Sequence, residues 1–153
     1  LLYRNQAHER LALEATWRDP QTGLISHQAL ISTAGWLLPL HDRMAAHLTL
    51  VLVEASASQN LATLAERLSQ RLRRSDVAAR YNEQALALML PCTTVTAAEN
   101  LLSDLRQHGA EFRAALVAVS SSDQSLEAAL HHLQQHLQRA NDGNHWMVHA
   151  TSL

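Results

Sequence analysis

A run of six apolar residues, 85–90, is the feature that most constrains how this chain can fold. Side chains along a β-strand alternate between the two faces of its sheet, so a strand that is apolar throughout has to be covered on both faces. The polar residues 82–84 separate this run from a second β-like stretch at 77–81, and this pattern is typical of a hairpin. The sequence therefore predicts a central hairpin in a sheet that helices cover on both faces.

The rest of the chain alternates between strand-like and helix-like patterns. Apolar and β-branched residues predict further strands at 48–53, 113–119 and 145–149. Apolar residues at helical spacing predict helices from His27 onward and over 61–72, 95–108 and 126–140. We expect Pro39 to interrupt the first of these helices and Gly109 to cap the third. The order of elements predicts an α/β sandwich.

Composition excludes several classes of protein. The 153 residues are 47% hydrophobic and 17% charged, with a net charge of -2, so the chain has material for a core and too little positive charge to coat nucleic acid. A single cysteine, Cys92, excludes an internal disulfide and a multi-thiolate zinc site. It suits a reducing compartment, so we expect a cytoplasmic protein or the cytoplasmic part of a membrane-associated one. No apolar run has the length of a membrane span.

Residues 1–17 contain neither glycine nor proline, which favours a helix. Four apolar residues recur there at helical spacing: Tyr3, Ala7, Leu11 and Ala15. This amphipathic helix could be a connector from an upstream domain or a packed first helix. Because the chain begins without methionine, we expect it to be a piece of a longer protein. We assign residues 1–17 to a connector helix and residues 18–153 to the domain itself.

Several short motifs, in a fixed order, carry a resemblance to a known family. Asp19-Pro20-Gln21-Thr22-Gly23-Leu24 comes first, then Arg73-Arg74-Ser75-Asp76, then Arg80-Tyr81 and a strand that ends in Pro91. They resemble the DPLTGL turn, the RxxD motif, the Arg-Tyr pair and the following strand of the GGDEF family of diguanylate cyclases. The resemblance covers about residues 16–149. It implies an α+β sandwich with a central, mostly antiparallel sheet of about five strands and helices on both faces.

The resemblance fails where the family has its catalytic residues. Asn82-Glu83-Gln84-Ala85-Leu86 stands in place of Gly-Gly-Asp-Glu-Phe, so the chain lacks the glycines that let the backbone approach a nucleotide and both acids of the loop. In the first strand Glu54 remains, but one carboxylate without a partner cannot hold a two-metal phosphoryl-transfer site. Only 19 positions separate Glu54 from Arg73, too few for the family's guanine-reading segment. Residues 140–145 lack the family's phosphate-contacting cations. These losses predict a domain that is not an enzyme and has no catalytic residue or metal.

Arg73 and Asp76 keep the spacing of the family's inhibitory site, which binds the product, cyclic di-GMP. An arginine fork can reach O6 and N7 of guanine, and a carboxylate can accept hydrogen bonds from guanine N1–H and N2–H. A bidentate, charge-assisted pair of this kind discriminates guanine by about 1–3 kcal/mol. The resemblance therefore implies a receptor for cyclic di-GMP.

Further arginines surround this motif in the sequence. Arg71, Arg74 and Arg80 add positive charge that can pair with the phosphates of the ligand. Arg106 lies near the position at which the family has a second ligand-binding arginine, although Asp104 occupies that column. The predicted ligand-binding residues are Arg73, Asp76, Arg74, Arg80 and Arg106.

An inactive cyclase domain that keeps RxxD resembles receptors of the PelD and BcsE type, which control exopolysaccharide export. The resemblance implies a role in exopolysaccharide secretion or biofilm formation. It implies as partners an upstream domain of the same chain and a secretion or biofilm component, with no cofactor, nucleic acid or membrane contact; a homodimer stays open. Two alternatives also stay open: a scaffold for dimerisation or protein interaction that binds no nucleotide, and a residual enzyme in which Glu54 alone organises Mg²⁺ and GTP.

Other residues with chemical potential have simpler interpretations. His132 and His136 share a helical face at i, i+4, but no third metal ligand can be identified, which favours surface or packing histidines. Cys92 follows an apolar strand and fits a small buried or edge residue. We expect core or interface anchors, rather than base-stacking platforms, at the three tryptophans: Trp17, Trp36 and Trp146.

Overall fold

The computed structural model describes residues 17–44, 46–57, 60–119, 125–139 and 146–150. The helices in these ranges are α1 (His27–Met44), α2 (Leu61–Arg71), α3 (Val95–Gln107) and α4 (Leu126–Arg139). The strands are β1 (Leu48–Ala55), β2 (Val77–Arg80), β3 (Ala85–Pro91), β4 (Phe112–Ala118) and β5 (Met147–His149). The predicted α/β class is confirmed. None of these four helices has the length and apolar character that crossing a membrane requires.

The strands form one five-stranded sheet in the order β2-β3-β1-β4-β5. Neighbouring strands are antiparallel except β4 and β5, which run parallel, so the mostly antiparallel sheet is confirmed. β1 lies in the middle, where Leu50 is opposite Met89 of β3 and Val117 of β4. The predicted hairpin is the β2–β3 pair. Its predicted central position is wrong, because β2 lies at one edge of the sheet and β1, between β3 and β4, is the middle strand.

Alternation along β3 divides the core into two layers. Ala87 and Met89 belong to a hydrophobic cluster that α1 and α4 cover, whereas Leu86 and Leu88 belong to a second cluster that α2 and α3 cover. Each residue of 85–90 is at most 2% exposed. The prediction of a strand buried on both faces is therefore confirmed, and its cause is the covering of the sheet by two helices on each side.

The predicted interruption at Pro39 is wrong, because α1 continues through Pro39 to Met44. Pro39 has no N–H to donate to the carbonyl of Gly35, one turn earlier, so the helix loses one hydrogen bond there. Both residues lie on the exposed side of α1, where water can satisfy the freed carbonyl. The helix tolerates the proline for that reason, and its buried residues hold it against the sheet.

Two predicted boundaries can be compared directly. Gly109 follows α3 with a φ of +96° and donates its N–H to the Arg106 carbonyl at 3.1 Å, so its role in closing the helix is confirmed. β5 covers Met147–His149 of the strand predicted at 145–149. Of the predicted connector helix, Trp17 alone lies within the described residues, and residues 140–145 lie outside them.

Candidate functional site

Residues 73–76 form a turn between the end of α2 and the start of β2, and the motif closes this turn with its own groups. The Asp76 N–H donates to the Arg73 carbonyl at 3.0 Å, and the Arg73 N–H donates to Oδ2 of Asp76 at 2.8 Å. An aspartate is suited to this position because its short carboxylate can accept from nearby backbone N–H groups. The spacing of the two residues therefore has a structural role, in addition to any role in binding a ligand.

The Asp76 side chain is only 5% exposed. Its Oδ1 atom is shielded from solvent and has no hydrogen-bond donor among the described residues. A buried polar atom without a partner costs about 1–3 kcal/mol, and more when it is charged. Such an atom is a candidate acceptor of hydrogen bonds from a ligand. The Asp76 side chain would have to rotate for a ligand to reach it.

The Arg73 side chain extends from the same turn toward the end of β3. Its guanidinium donates to the hydroxyl of Thr93 and lies 3.5 Å from the Pro91 carbonyl, while its Nε is 3.6 Å from Oδ2 of Asp76. Thr93 is itself held, because its carbonyl accepts from the Thr49 hydroxyl at 2.7 Å. Arg73 remains 60% exposed, so most of its donors are open to a ligand.

A cavity of about 530 Å³ opens beside the turn, within the ~300–1,000 Å³ range of small-molecule sites. Both apolar and charged side chains line this cavity, which we call the Asp76 cavity. Its polar and aromatic wall consists of Trp17, Arg18, Thr33, Ser69, Arg73, Arg74 and Asp76. Its apolar wall includes Leu24, Ile25, Leu72, Val77 and Ala78. Arg74 is exposed and makes no hydrogen bond or ion pair with a described residue, so its charge is available at the rim.

The segment before α1 reaches this cavity because a tight turn folds it against β2. Asp19 accepts hydrogen bonds from the N–H and hydroxyl of Thr22 at 2.8 and 2.7 Å, and Gly23 takes a φ of +74° that favours glycine. Ile25 then forms a parallel bridge to Ala79 of β2, and its carbonyl accepts from the Arg80 N–H at 3.0 Å. These contacts bring residues far apart in sequence to one wall.

Arg80 lies outside the Asp76 cavity. Its Nη1 is 3.0 Å from Oδ1 of Asp19, and its Nε donates to the Asn82 carbonyl at 3.1 Å. Burial alone would raise the pKa of Asp19, but hydrogen bonds from Thr22 and the Arg80 guanidinium outweigh it and lower that pKa. The structure thus pairs Arg80 with Asp19 and does not bring it to Arg73.

Arg106 also lies outside the Asp76 cavity. Its guanidinium donates to the Phe112 carbonyl and sits 5.0 Å from the ring centre of Trp146, a cation–π contact. Asp104, two residues earlier in α3, pairs instead with Arg71 at the end of α2. Of the five predicted ligand-binding residues, the structure brings Arg73, Arg74 and Asp76 together at one cavity, and the roles of all five stay predictions.

Trp17 and Arg18 also line the Asp76 cavity, and no sequence motif predicted a binding role for either residue. The sequence predicts core or interface anchors at Trp17 and Trp36. A core position is wrong for both, since they are 47% and 60% exposed, and an interface role stays a prediction. Trp146 packs edge-to-face on Phe112 at 5.7 Å, as a structural anchor does. The signal that could have pointed to Trp17 is its place directly before the turn that folds back on β2.

A short connection between β2 and β3 stands at the position of the family's catalytic loop. The Asn82 side chain accepts from the Gln84 N–H at 2.9 Å, and the Tyr81 N–H donates to the Ala85 carbonyl at 2.9 Å, so residues 82–84 close the hairpin. In β1, Glu54 lies opposite Ala85 on one side and Arg113 on the other. Within the described ranges no three His, Cys, Asp or Glu side chains are grouped in a way that could hold a metal ion.

Comparison with known proteins decides the family. A search of curated proteins found no match. The family model described as "Diguanylate cyclase, GGDEF domain" matches residues 16–152, nearly the whole chain. The chain belongs to the GGDEF family. The turn at 73–76 and the hairpin at 77–91 are therefore parts of a GGDEF domain.

Solved GGDEF domains share the fold at low sequence identity. The coiled coil and GGDEF domain of DgcB from Caulobacter crescentus, in complex with c-di-GMP, has a TM-score of 0.79 and 13% identity over 97% of this chain and 93% of that one. The diguanylate cyclase SiaD from Pseudomonas aeruginosa, in complex with its activator SiaC, has a TM-score of 0.74 and 18% identity over 97% of this chain and 67% of that one. The FimX GGDEF domain from the same species has a TM-score of 0.73 and 12% identity over 88% and 99%.

Proposed function

We propose that this GGDEF domain is a receptor that binds cyclic di-GMP and does not synthesise it. The observation that carries the proposal is the Asp76 carboxylate, which is almost fully buried beside a cavity and has one oxygen without a donor in the part of the chain that the structure describes. A guanine base supplies such donors at N1–H and N2–H. The relative DgcB has been solved in complex with c-di-GMP, which makes this ligand the first to test.

The residues around Asp76 suit the remaining parts of the ligand. The exposed Arg73 guanidinium can present its fork to O6 and N7 of guanine, after exchanging its contact with Thr93 for the base. Arg74 has no competing acidic partner among the described residues and can pair with a phosphate. A site with one carboxylate and two arginines suits a ligand that has guanine donors and two negative phosphates.

The proposed loss of synthesis rests on the hairpin and on β1. Asn82 and Glu83 have side chains where the family has glycines, so the backbone cannot approach a triphosphate closely. Glu54 lies between Ala85 and Arg113 in the sheet, so its neighbours are a methyl group and a cation rather than a second acid. A metal pair that activates phosphoryl transfer needs carboxylates on this edge, and a single one is insufficient.

We also propose that the receptor controls exopolysaccharide secretion or biofilm formation through a partner protein. Its support is the resemblance of an inactive domain with an intact RxxD motif to receptors of that kind. The diguanylate cyclase SiaD, which shares this fold, has been solved in complex with its activator SiaC, so a protein partner has a precedent among proteins of this fold.

A second candidate function is a protein-interaction scaffold, and one observation favours it. Trp36, Leu40 and Met44 are 60%, 44% and 66% exposed and recur every four residues along α1. Large apolar side chains aligned on an exposed helix face are typical of contact surfaces. A scaffold would keep this face and would not need the Asp76 carboxylate.

Isothermal titration of the purified chain with cyclic di-GMP tests the proposal. We expect binding at micromolar or lower Kd in the wild type and loss of binding in Arg73→Ala, whose exposed side chain can be removed without opening the core. Arg43→Ala, an exposed arginine on α1 outside the cavity, is the matched control and should bind as the wild type does. No heat with the wild type would favour the scaffold. Incubation with GTP and Mg²⁺ should give no cyclic di-GMP, and any product would refute the inactivity.

A further inference from the structure

Trp17 has its ring exposed on the wall of the Asp76 cavity. Its side chain is 47% exposed, although tryptophan is among the side chains that gain most from burial. The aromatic contacts among the described residues are His27 with Tyr81, Phe112 with Trp146 and His132 with His136, and Trp17 takes part in none of them. An aromatic face is therefore open beside the buried carboxylate.

The backbone at Trp17 is held even though the ring is exposed. Its carbonyl accepts from the Ser26 N–H at 2.7 Å, and the next residue, Arg18, bridges to Ile25 and donates to the Gly23 carbonyl at 3.1 Å. Ile25 in turn bridges to Ala79 of β2. Because the backbone at this residue is held, a ligand that stacks on the ring has to order only the Trp17 side chain, which lowers the free-energy cost of binding.

We propose that Trp17 is a stacking platform for one guanine base of the ligand, whose edge Asp76 reads. This inference rests on the proposed function and adds an aromatic residue that lines the same cavity as Asp76. Stacking on an aromatic ring is tolerant of base identity because every base has a π-face, whereas hydrogen bonds to a carboxylate favour guanine. Trp17 thus contributes affinity and Asp76 contributes selectivity.

The two contributions are separable by comparing ligands. Trp17→Ala should weaken the binding of cyclic di-GMP about 5- to 150-fold, which corresponds to the ~1–3 kcal/mol of a base–aromatic stack. It should leave the preference for cyclic di-GMP over cyclic di-AMP unchanged. Trp17→Phe keeps an aromatic face and should recover most of the lost affinity.

Fluorescence gives a second readout that does not depend on affinity. A guanine that stacks on an indole quenches the fluorescence of that indole. The chain has three tryptophans, so the quenched one has to be identified by substitution. We expect saturating cyclic di-GMP to quench the wild type, and we expect the quench to disappear in Trp17→Phe. Trp36→Phe, which removes an indole that is 60% exposed and outside the cavity, should keep the quench.

Titration calorimetry and fluorescence on the wild type, Trp17→Ala, Trp17→Phe, Trp36→Phe and Arg73→Ala decide the inference. Weaker binding in Trp17→Ala, recovery in Trp17→Phe and a quench assigned to Trp17 support it. If Arg73→Ala abolishes binding while Trp17→Ala binds as the wild type does, the platform is refuted and the receptor stands. A quench that persists in Trp17→Phe refutes the platform as well. A wild type that binds no cyclic di-GMP overturns both proposals.

Discussion

Oδ2 of Asp76 accepts the Arg73 backbone N–H at 2.8 Å, so the two residues of the motif hold each other in place through the main chain. The other carboxylate oxygen, Oδ1, is the one without a donor among the described residues. One side chain thus has an oxygen with a structural role and a second, buried oxygen that lacks a donor among the described residues. Substitutions at residue 76 can separate these two roles.

Asp76→Asn and Asp76→Ala are expected to differ in their free energies of unfolding, whereas both should weaken the binding of cyclic di-GMP. The asparagine carbonyl can still accept from the Arg73 N–H, so its free energy of unfolding should stay near that of the wild type. Alanine loses this hydrogen bond, which should lower the free energy of unfolding by about 1 kcal/mol. Both variants lack a carboxylate for guanine N1–H and N2–H and should bind cyclic di-GMP at least tenfold more weakly. Urea denaturation and calorimetry check this, and tight binding by Asp76→Asn would contradict it.

Asp104→Asn is expected to tighten ligand binding. Asp104 pairs with Arg71, and both side chains are about 40% exposed, so the pair itself contributes little to stability. Removing the carboxylate frees a cation two residues before Arg73 and removes a negative charge that repels phosphate. We expect a two- to fivefold lower Kd at low salt and a smaller gain at 0.3 M salt, since salt screens exposed charges. An unchanged Kd at low salt would show that Arg71 does not act on the ligand.

The Asp19–Arg80 pair should make stability fall in acid. The pKa of Asp19 is lower in the folded protein than its ordinary value of 3.8, so the unfolded chain binds more protons around that pH. The ionised Asp19 carboxylate therefore stabilises the folded protein fully above pH 3.8, and this stabilisation is lost as the pH falls through the lower pKa that Asp19 has in the folded state. Urea denaturation from pH 6 to pH 3 should show a steeper loss in the wild type than in Asp19→Asn. Parallel curves for the two proteins would exclude a contribution from this carboxylate.

The pKa of His136 should be lower than that of an isolated histidine. Burial lowers its pKa first, and the charges of His132 and Arg139 lower it further. The two Nε2 atoms are 3.1 Å apart, close enough for each imidazole to disfavour protonation of the other. An NMR titration of the imidazole carbons should place the His136 midpoint below 6.5, and His132→Gln should move it upward. A midpoint that does not respond to His132→Gln would mean that His132 does not contribute and that burial and Arg139 lower the pKa.

The local parts of the fold were predictable from sequence, and the long-range pairings were not. Residues 85–90 form a doubly covered strand because an entirely apolar strand has no other stable environment. Arg73, Arg74 and Asp76 lie together because they belong to one turn. Arg80 belongs to the same stretch, but Asp19, 61 residues away in sequence, pairs with it. Trp17 reaches the cavity through the bridge between Ile25 and Ala79, a register that no local pattern reveals.

Restoring the family's loop is not expected to restore synthesis. Asn82→Gly, Glu83→Gly and Gln84→Asp together would return the two glycines and one acid to the β2–β3 turn, which is exposed and should accept them. Ala85, where the family has a second acid, is 2% exposed in the core, so a glutamate there would be buried at high cost.

The triple variant would still have Glu54 as the one acidic residue of β1, whose sequence is LTLVLVEA. Two metal ions need several oxygen ligands to bring GTP into line for phosphoryl transfer. We therefore expect no cyclic di-GMP from GTP and Mg²⁺ by chromatography, while binding of added cyclic di-GMP stays at the wild-type level. Product formation by the triple variant would mean that the loop alone accounts for the lost activity and that β1 is competent as it stands.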